Sequence, residues 1–266
     1  MIVKKAQNLL KKGSEVMLSD SVWETIKDII PSKKIKIGRP EKCPRKALEG
    51  IIFVLKTGCQ WSLVPIKYGN YKTIHKKFIK WTRLGVFKQL MKFARKNYQK
   101  RNSKNNWYCF DTTLKKAPFA KFGGKNPTDR AKRGIKHAIL VDRKGAPLFV
   151  YVAPANKHDS KLFEPVFKQM RKSKKIRIIA ADSAFDVRKL YTQCKDKNIA
   201  LIASTNPRRN KSKHKFNAPV RWIVEQTFGI LAWFRGLKNC WNKTFETSYA
   251  FLQIACVLRL FKMMEF

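Results

Sequence analysis

Apolar positions follow two different rhythms along the chain. Over the first hundred residues they recur at helical spacing. Ser21 and Glu24 have capping-box spacing ahead of the run Val22–Ile30, which Pro31 stops. A second helix is predicted from Pro44 through Ala47, Ile51, Ile52 and Leu55 to Gly58, with proline at its start and glycine past its end. Cys59–Gly69 is apolar but irregular. A third helix, Tyr71–Leu84, puts Ile74, Phe78 and Trp81 on one face and Lys72, Thr73, His75, Lys76, Lys77 and Lys80 on the other. Gly85 ends it, and a fourth helix follows from Val86 to Tyr98. Gln99–Asn106 then contains no apolar residue and reads as a linker.

Beyond the linker the rhythm changes to short apolar runs. Trp107–Phe110, Ile135–Val141, Leu148–Val152, Ile176–Ala181 and Ile199–Ala203 read as strands. Asp142-Arg-Lys-Gly145 reads as the hairpin turn between the second and third. Ser160–Met170 and Val187–Lys195 read as helices, as do a long stretch from Pro219 to Leu237 and a terminal one, Tyr249–Met264. The expected class is α+β or α/β. A helical, helix-turn-helix-like domain (residues 1–98) and a linker (99–106) would precede a domain with a mixed sheet flanked by helices (107–266).

Charge adds the first functional constraint. Fifty-nine Lys and Arg face 17 Asp and Glu, a net charge of +42 spread along the whole chain. Such a chain repels itself unless a polyanion is present, and nucleic acid is the expected one. An AT-rich coding bias would raise Lys, but it would raise Asn and Ile too and would not deplete Asp and Glu this far. The lysine face of Tyr71–Leu84 suits a helix lying in the major groove, its side chains meeting phosphate. The competing account is a solvated face of a small bundle. No apolar run approaches the roughly 20 residues of a membrane span, and the N-terminal residues lack an apolar signal core, so a cytoplasmic, nucleoid-associated protein is expected. Six scattered cysteines without a Cys-x-x-Cys pair suggest reduced thiols, not a zinc site or a disulfide frame.

With acids so scarce, their positions carry information. Asp111, Asp142 and Asp182 each end an apolar strand-like run. The turn explains Asp142; Asp111 and Asp182 lack an equally good local reason. Glu225 sits inside the helical run PVRWIVEQTFGILAWF, on a stripe formed with Arg221, Gly229, Ala232 and Gly236. Two readings of that stripe stay open: it lines a cleft that receives DNA, or it packs tightly on the sheet with Arg221 pairing to Glu225. Three converging carboxylates suit a hard divalent cation, Mg²⁺ with Mn²⁺ able to substitute, and two such ions can clamp an in-line displacement at phosphorus. His158 and Asp159 either approach that site or cap the following helix, with Asp159 or Ser160 as N-cap. His75, His137 and His214 show no partner pattern and are expected to meet DNA or solvent.

A run of sequence words from about Leu18 to Leu260 resembles the DDE (Asp-Asp-Glu) transposases of bacterial insertion sequences, in particular the IS-five group. The words are LSDSVWETI, GRPEKCPRKALEGIIFVLKTGCQWSLVP, YGNYKTIHKKFIKWTRLGVF, FDTT around Asp111, NPTDRAKRGIKHAILVDRKGAPL, PANKHDSKLFEP, ADSAFD around Asp182 and VRWIVEQTFGILAWFRGL around Glu225. Arg221 and Glu225 fit the family's Arg-x₃-Glu motif. The resemblance implies an RNase H-like catalytic domain holding metal with Asp111, Asp182 and Glu225. It also implies binding of terminal inverted repeats, metal-dependent hydrolysis at the element ends, and joining of the 3′-OH ends to target DNA by a homodimer assembled on double-stranded DNA. Two positions depart from related groups: Ala218 stands where a Tyr precedes the Arg, and Ala232 where a phosphate-holding Lys follows the Glu. Arg221, Arg235 or Lys238 could take over that lysine's task. Two alternatives remain at this point: an RNase H-like nuclease that only cuts, and a DNA-binding repressor or inactive remnant.

Overall fold

The computed structural model describes residues 18–32, 43–102, 104–170, 176–206 and 221–264. In the N-terminal part the helices fall close to the periodicity. The first, α1 (Asp20–Ile26), starts two residues earlier than expected, because Ser19 and not Ser21 is the N-cap: its hydroxyl accepts from the Val22 N–H at 3.4 Å. Helix α2 (Pro44–Thr57) has Pro44 at its first turn and Gly58 in the left-handed region at φ 67°. Two 3-10 turns lead to α3 (Tyr71–Arg83), capped by the Asn70 side chain. Gly50 of α2 lets α3 approach closely; a Cβ there would lie 2.9 Å from the Ile74 Cδ1. Helix α4 (Val86–Arg101) continues into the segment expected as a linker. The basic lead-in, residues 1–17, lies outside the described residues.

Sheet strands then follow in the order β1 (Trp107–Lys116), β2 (Gly124–Lys125), β3 (Arg133–Asp142), β4 (Pro147–Pro154), β5 (Ile178–Ala181) and β6 (Ala200–Ala203). The spatial order is β4-β3-β1-β5-β6, with β2 adding a short pair at the start of β3. β3 runs antiparallel to both of its neighbours, β1 and β4, while β1, β5 and β6 run parallel. This mixed sheet flanked by helices is the class expected from the apolar runs. β1 is longer than its apolar run because Thr112 to Lys116 go on pairing with β3, Thr112 to Lys115 half-buried and Lys116 exposed. β2 gave no sequence signal; two residues are too few for a period.

Helix α5 (Ser160–Met170) covers one face, where Phe163 and Phe185 both meet Phe110 edge-on at 5.1 and 4.9 Å. After β5 a 3-10 turn, Ser183–Phe185, leads to α6 (Arg188–Lys195). The long C-terminal helix expected from Pro219 is described as α7 (Arg221–Ala232) and a separate short α8 (Arg235–Lys238). The break has a packing cause. Gly236 beds on α2, where a Cβ would sit 3.0 Å from the Leu55 carbonyl oxygen, and Phe234 turns extended to deliver it.

Helix α9 (Phe245–Lys262), capped by Thr244, returns to the N-terminal helices. Phe251 packs on Phe78 and Trp61 at 4.8 and 6.2 Å. Buried residues from all these helices and from the sheet join in one continuous apolar cluster. Among the described residues, no helix is long and apolar enough to cross a membrane.

Candidate active site

Strand pairing decides what the sequence could only suggest about Asp111 and Asp182. β1 and β5 run side by side, in parallel, with Phe110 opposite Ala181. Asp111 follows Phe110 inside β1 and Asp182 follows Ala181 just past the end of β5, so their backbones are neighbours at about the ordinary strand spacing of roughly 5 Å. Both are half-buried. The Asp111 Oδ1 accepts the Thr112 N–H at 2.7 Å, and the Asp182 Oδ1 accepts the Ser183 N–H at 2.6 Å.

Asp142 has the structural role its turn suggested. It is buried, and it accepts from the N–H groups of Lys144 and Ala146, each at 2.9 Å, and from the Tyr98 hydroxyl at 2.9 Å. It thereby fixes the β3–β4 hairpin and ties α4 to the sheet.

Glu225 is exposed on α7, which packs against β1 and β3. The next turn of that helix is anchored by Thr227, whose buried hydroxyl lies 3.1 Å from the Gly145 carbonyl and 2.9 Å from that of Ile223. Among the described residues, no three His, Cys, Asp or Glu side chains gather closely enough to hold a metal ion together. The β1–β5 pairing makes the backbones of Asp111 and Asp182 neighbours, and Glu225 stands on the helix that packs against β1. The stripe around Glu225 divides. Gly229 and Ala232 line an open cleft with Trp233, Arg235, Lys238 and Trp241, and a Cβ on Gly229 would meet nothing within 4 Å. Gly236 packs on α2 instead. The Arg221 side chain and Ala218 lie outside what is described.

A polar strut supports β1 directly after Asp111. The Thr112 hydroxyl donates to the Asp159 Oδ1 at 2.5 Å, and the Lys136 ammonium donates to the same oxygen at 2.9 Å and to the Lys157 carbonyl at 2.9 Å. Lys136 is buried. Asp159 therefore does not cap α5 with its side chain. His158 does, its Nδ1 accepting the Ser160 N–H at 3.3 Å. Sequence reading missed Lys136. Its signal was a lysine inside the apolar strand run Ile135–Val141.

His137 also departs from expectation. It is 3 % exposed, and burial, aided by the Lys115 charge, pushes its pKa down to about 3, so it is neutral and meets neither DNA nor solvent. His75 is exposed but rests beside the Trp61 ring at 4.9 Å. His214 and residues 207–217 of the basic loop lie outside the described residues.

On α3, Lys72, His75, Lys76 and Lys80 are exposed and Thr73 is half-buried. Lys77 is the exception: it is 9 % exposed, with its ammonium 5.6 Å from the centre of the Trp81 ring, so it packs the helix and does not face outward. Arg235 and Lys238 are exposed on α8. No two cysteines are joined by a disulfide; burial pushes the Cys109 thiol up to about 11 and the Cys194 thiol up to about 12, so both stay protonated at neutral pH.

Comparison with known proteins gives two family matches. Residues 18–91 match a family described as "Putative transposase of IS4/5 family", and residues 102–260 match the "Transposase DDE domain" family. A Burkholderia cepacia protein, "Putative transposase for insertion sequence element IS402", is 29 % identical over 144 residues, 51 % of this chain and 66 % of that protein. A second from the same organism, "Insertion element IS402 uncharacterized 16.2 kDa protein", is 32 % identical over 80 residues, 28 % of this chain and 54 % of that protein. The chain thus spans just under two thirds of the first relative and about half of the second. Among solved structures, a piggyBac transposase synaptic complex with hairpin DNA matches with a TM-score of 0.38 at 12 % identity, covering 91 % of this chain and 72 % of the other. The catalytic core domain of BIV integrase matches with a TM-score of 0.35 at 12 % identity, covering 57 % and 82 %.

Proposed function

The chain belongs to the DDE transposase family, and from that premise we propose that it cuts DNA at the terminal inverted repeats of an insertion sequence and joins the freed 3′-OH ends to target DNA. The observation that carries this reading is the placing of Asp111, within β1, beside Asp182, just past the end of the parallel strand β5, in a chain of net charge +42. Two carboxylates in such a basic protein oppose the binding of DNA unless a cation neutralises them.

The donor set fits Mg²⁺, with Mn²⁺ as its substitute. Mg²⁺ is a hard ion commonly held by only one or two carboxylates, the remaining positions going to water and substrate phosphate. Asp111 and Asp182 supply those two. Glu225, exposed on a helix that packs against β1, is assigned as the third carboxylate. Bound there, the ion supplies charge stabilisation at the scissile phosphodiester, worth several kcal/mol. The strut of Thr112, Asp159 and Lys136 keeps β1 in place beside the reacting phosphate. The outward side chains of α3 (Lys72, His75, Lys76 and Lys80) hold the element end, with Arg221, Arg235 and Lys238 nearer the cut. Two ends must meet for joining, so the working form is a homodimer on double-stranded DNA, at the nucleoid.

Cleavage of labelled duplexes carrying the element's ends, with Mg²⁺ present, tests the reading. Asp111→Asn is expected to lower cleavage at least about 100-fold, a loss of roughly 2.7 kcal/mol, while end binding is kept. Wild-type rates in that variant would remove the metal role. Cut ends that never join to a second duplex would indicate a nuclease, and binding without any cutting by the wild type would indicate a repressor.

A further inference from the structure

On the face of β1 that carries Asp111 stands a lysine that the sequence words do not single out. Strand alternation places Asp111, Thr113 and Lys115 on one face, opposite Ile139, His137 and Ile135 of β3. Lys115 is half-buried there. Helix α8 is held against the same stretch of strand, because Lys116 bridges to Asn239 and the Cys240 N–H donates to the Lys116 carbonyl at 2.9 Å. Lys238, next to that bridge, lines the open cleft with Arg235, Gly229 and Ala232.

The two ammonium groups repel one another across this junction. Lys115 holds its proton less tightly than a free lysine, first because it is shielded from water and second because Lys238 is near. Among the described residues, neither lysine is paired with an acid. Asp129 pairs at 3.7 Å with the adjacent Lys116, and His137 on the facing strand is neutral. A half-buried cation beside a second cation, with no acid to offset them, is unfavourable until an anion arrives.

We propose that Lys115 and Lys238 form a two-lysine clamp for a DNA phosphodiester on the strand whose reacting phosphate sits at Asp111 and Asp182. The inference rests on the transposase reading above. Lys115 lies four residues along β1 from Asp111, about 13 Å, close to the axial rise of four phosphates on one DNA strand. The clamp takes over the task left by Ala232, whose position in the cleft carries no charge. It also gives Lys238 a partner from the sheet, which a reading of the helical motif alone could not supply.

The test uses the full chain, a duplex with the element's end, and a salt series. Removing one lysine–phosphate interaction should reduce the slope of log K against log salt by about 0.9. Lys115→Met and Lys238→Gln are each expected to lower the slope by about that amount, and the double variant by about twice as much. Without DNA, Lys115→Met should melt no lower than wild type, because it removes an uncompensated charge; a purely structural lysine would melt lower. If Lys115→Met does not fold, the slope of Lys238→Gln decides alone. Unchanged slopes in folded variants overturn the clamp and leave the transposase reading intact. A wild type with no salt-dependent binding overturns both. An equal melting rise from inorganic phosphate and from duplex, abolished in Lys115→Met, would overturn the DNA assignment in favour of a free anion.

Discussion

Three aspartates end apolar runs in this chain, and the same residue type does two kinds of work. Asp142 is enclosed by three donors, two from its own turn and one from Tyr98. Asp142→Asn would place an amide donor among those donors, so a loss of about 1–3 kcal/mol is expected in chemical denaturation. Asp182, half-buried at a strand end, should respond the other way: Asp182→Asn is expected to leave the denaturation midpoint within about 0.5 kcal/mol of wild type while cleavage falls as for Asp111→Asn. A melting loss in Asp182→Asn as large as that of Asp142→Asn would make Asp182 a residue of the fold and not of the site.

His137 gives a pH signature at the same scale. Its folded pKa is pushed down to about 3, against about 6.5 unfolded. Below pH 6.5 the unfolded chain binds a proton that the folded one refuses, so His137's contribution is complete above pH 6.5 and is lost as the pH falls toward 3. The cost is about 1.4 kcal/mol per pH unit within that window. His137→Gln should therefore flatten the stability profile between pH 6.5 and 4.5, and an equally steep profile would count against a buried neutral imidazole.

At the level of elements, the two glycines flanking the break after α7 make a matched pair. A side chain on Gly229 meets open space, whereas one on Gly236 meets the backbone of Leu55. Gly236→Leu is expected to cost about 1–3 kcal/mol through overpacking, with the melting temperature as the readout. Gly229→Leu should leave melting unchanged and weaken cutting, because its side chain fills the cleft beside Arg235 and Lys238. Equal melting losses in both would mean that α7 packs along its whole stripe.

That contrast also shows what the sequence could and could not carry. Pro44, Gly58, Gly85 and the apolar periods located the helices, because punctuation and period are local properties. The capping box was misplaced by two residues because Ser19 and Ser21 are chemically alike. The break at Phe234 was invisible because its cause, the surface of α2, lies about 180 residues away in sequence. Asp182 was legible as a strand end, whereas Asp111 lies inside β1, whose pairing with β3 runs on to Lys116. Their adjacency depended on the parallel pairing of β1 with β5, which a single chain reading does not fix. Lys115 and Lys136 were hidden for the same reason: each looks like one more lysine until a neighbouring strand or helix is placed beside it.

For the whole molecule, the charge of +42 makes folding and DNA binding respond to salt with opposite signs. Without DNA, the folded state gathers like charges that the unfolded chain keeps farther apart, so self-repulsion lowers stability. Raising salt from 0.1 to 1 M shortens the screening length from about 10 to about 3 Å. Exposed lysines on α3 and α8 then cease to feel one another, and the melting temperature should rise. Binding to duplex should weaken over the same range, since each phosphate held costs about 0.9 in log K per tenfold rise in salt. The two trends must cross. With excess duplex present, the melting temperature is expected to be highest at low salt, fall as DNA dissociates, and then join the rising curve of the free protein. A thermal-shift series with and without duplex would trace both limbs. Parallel curves would mean that the charge is a general surface property and that DNA does not relieve the repulsion on which the functional reading depends.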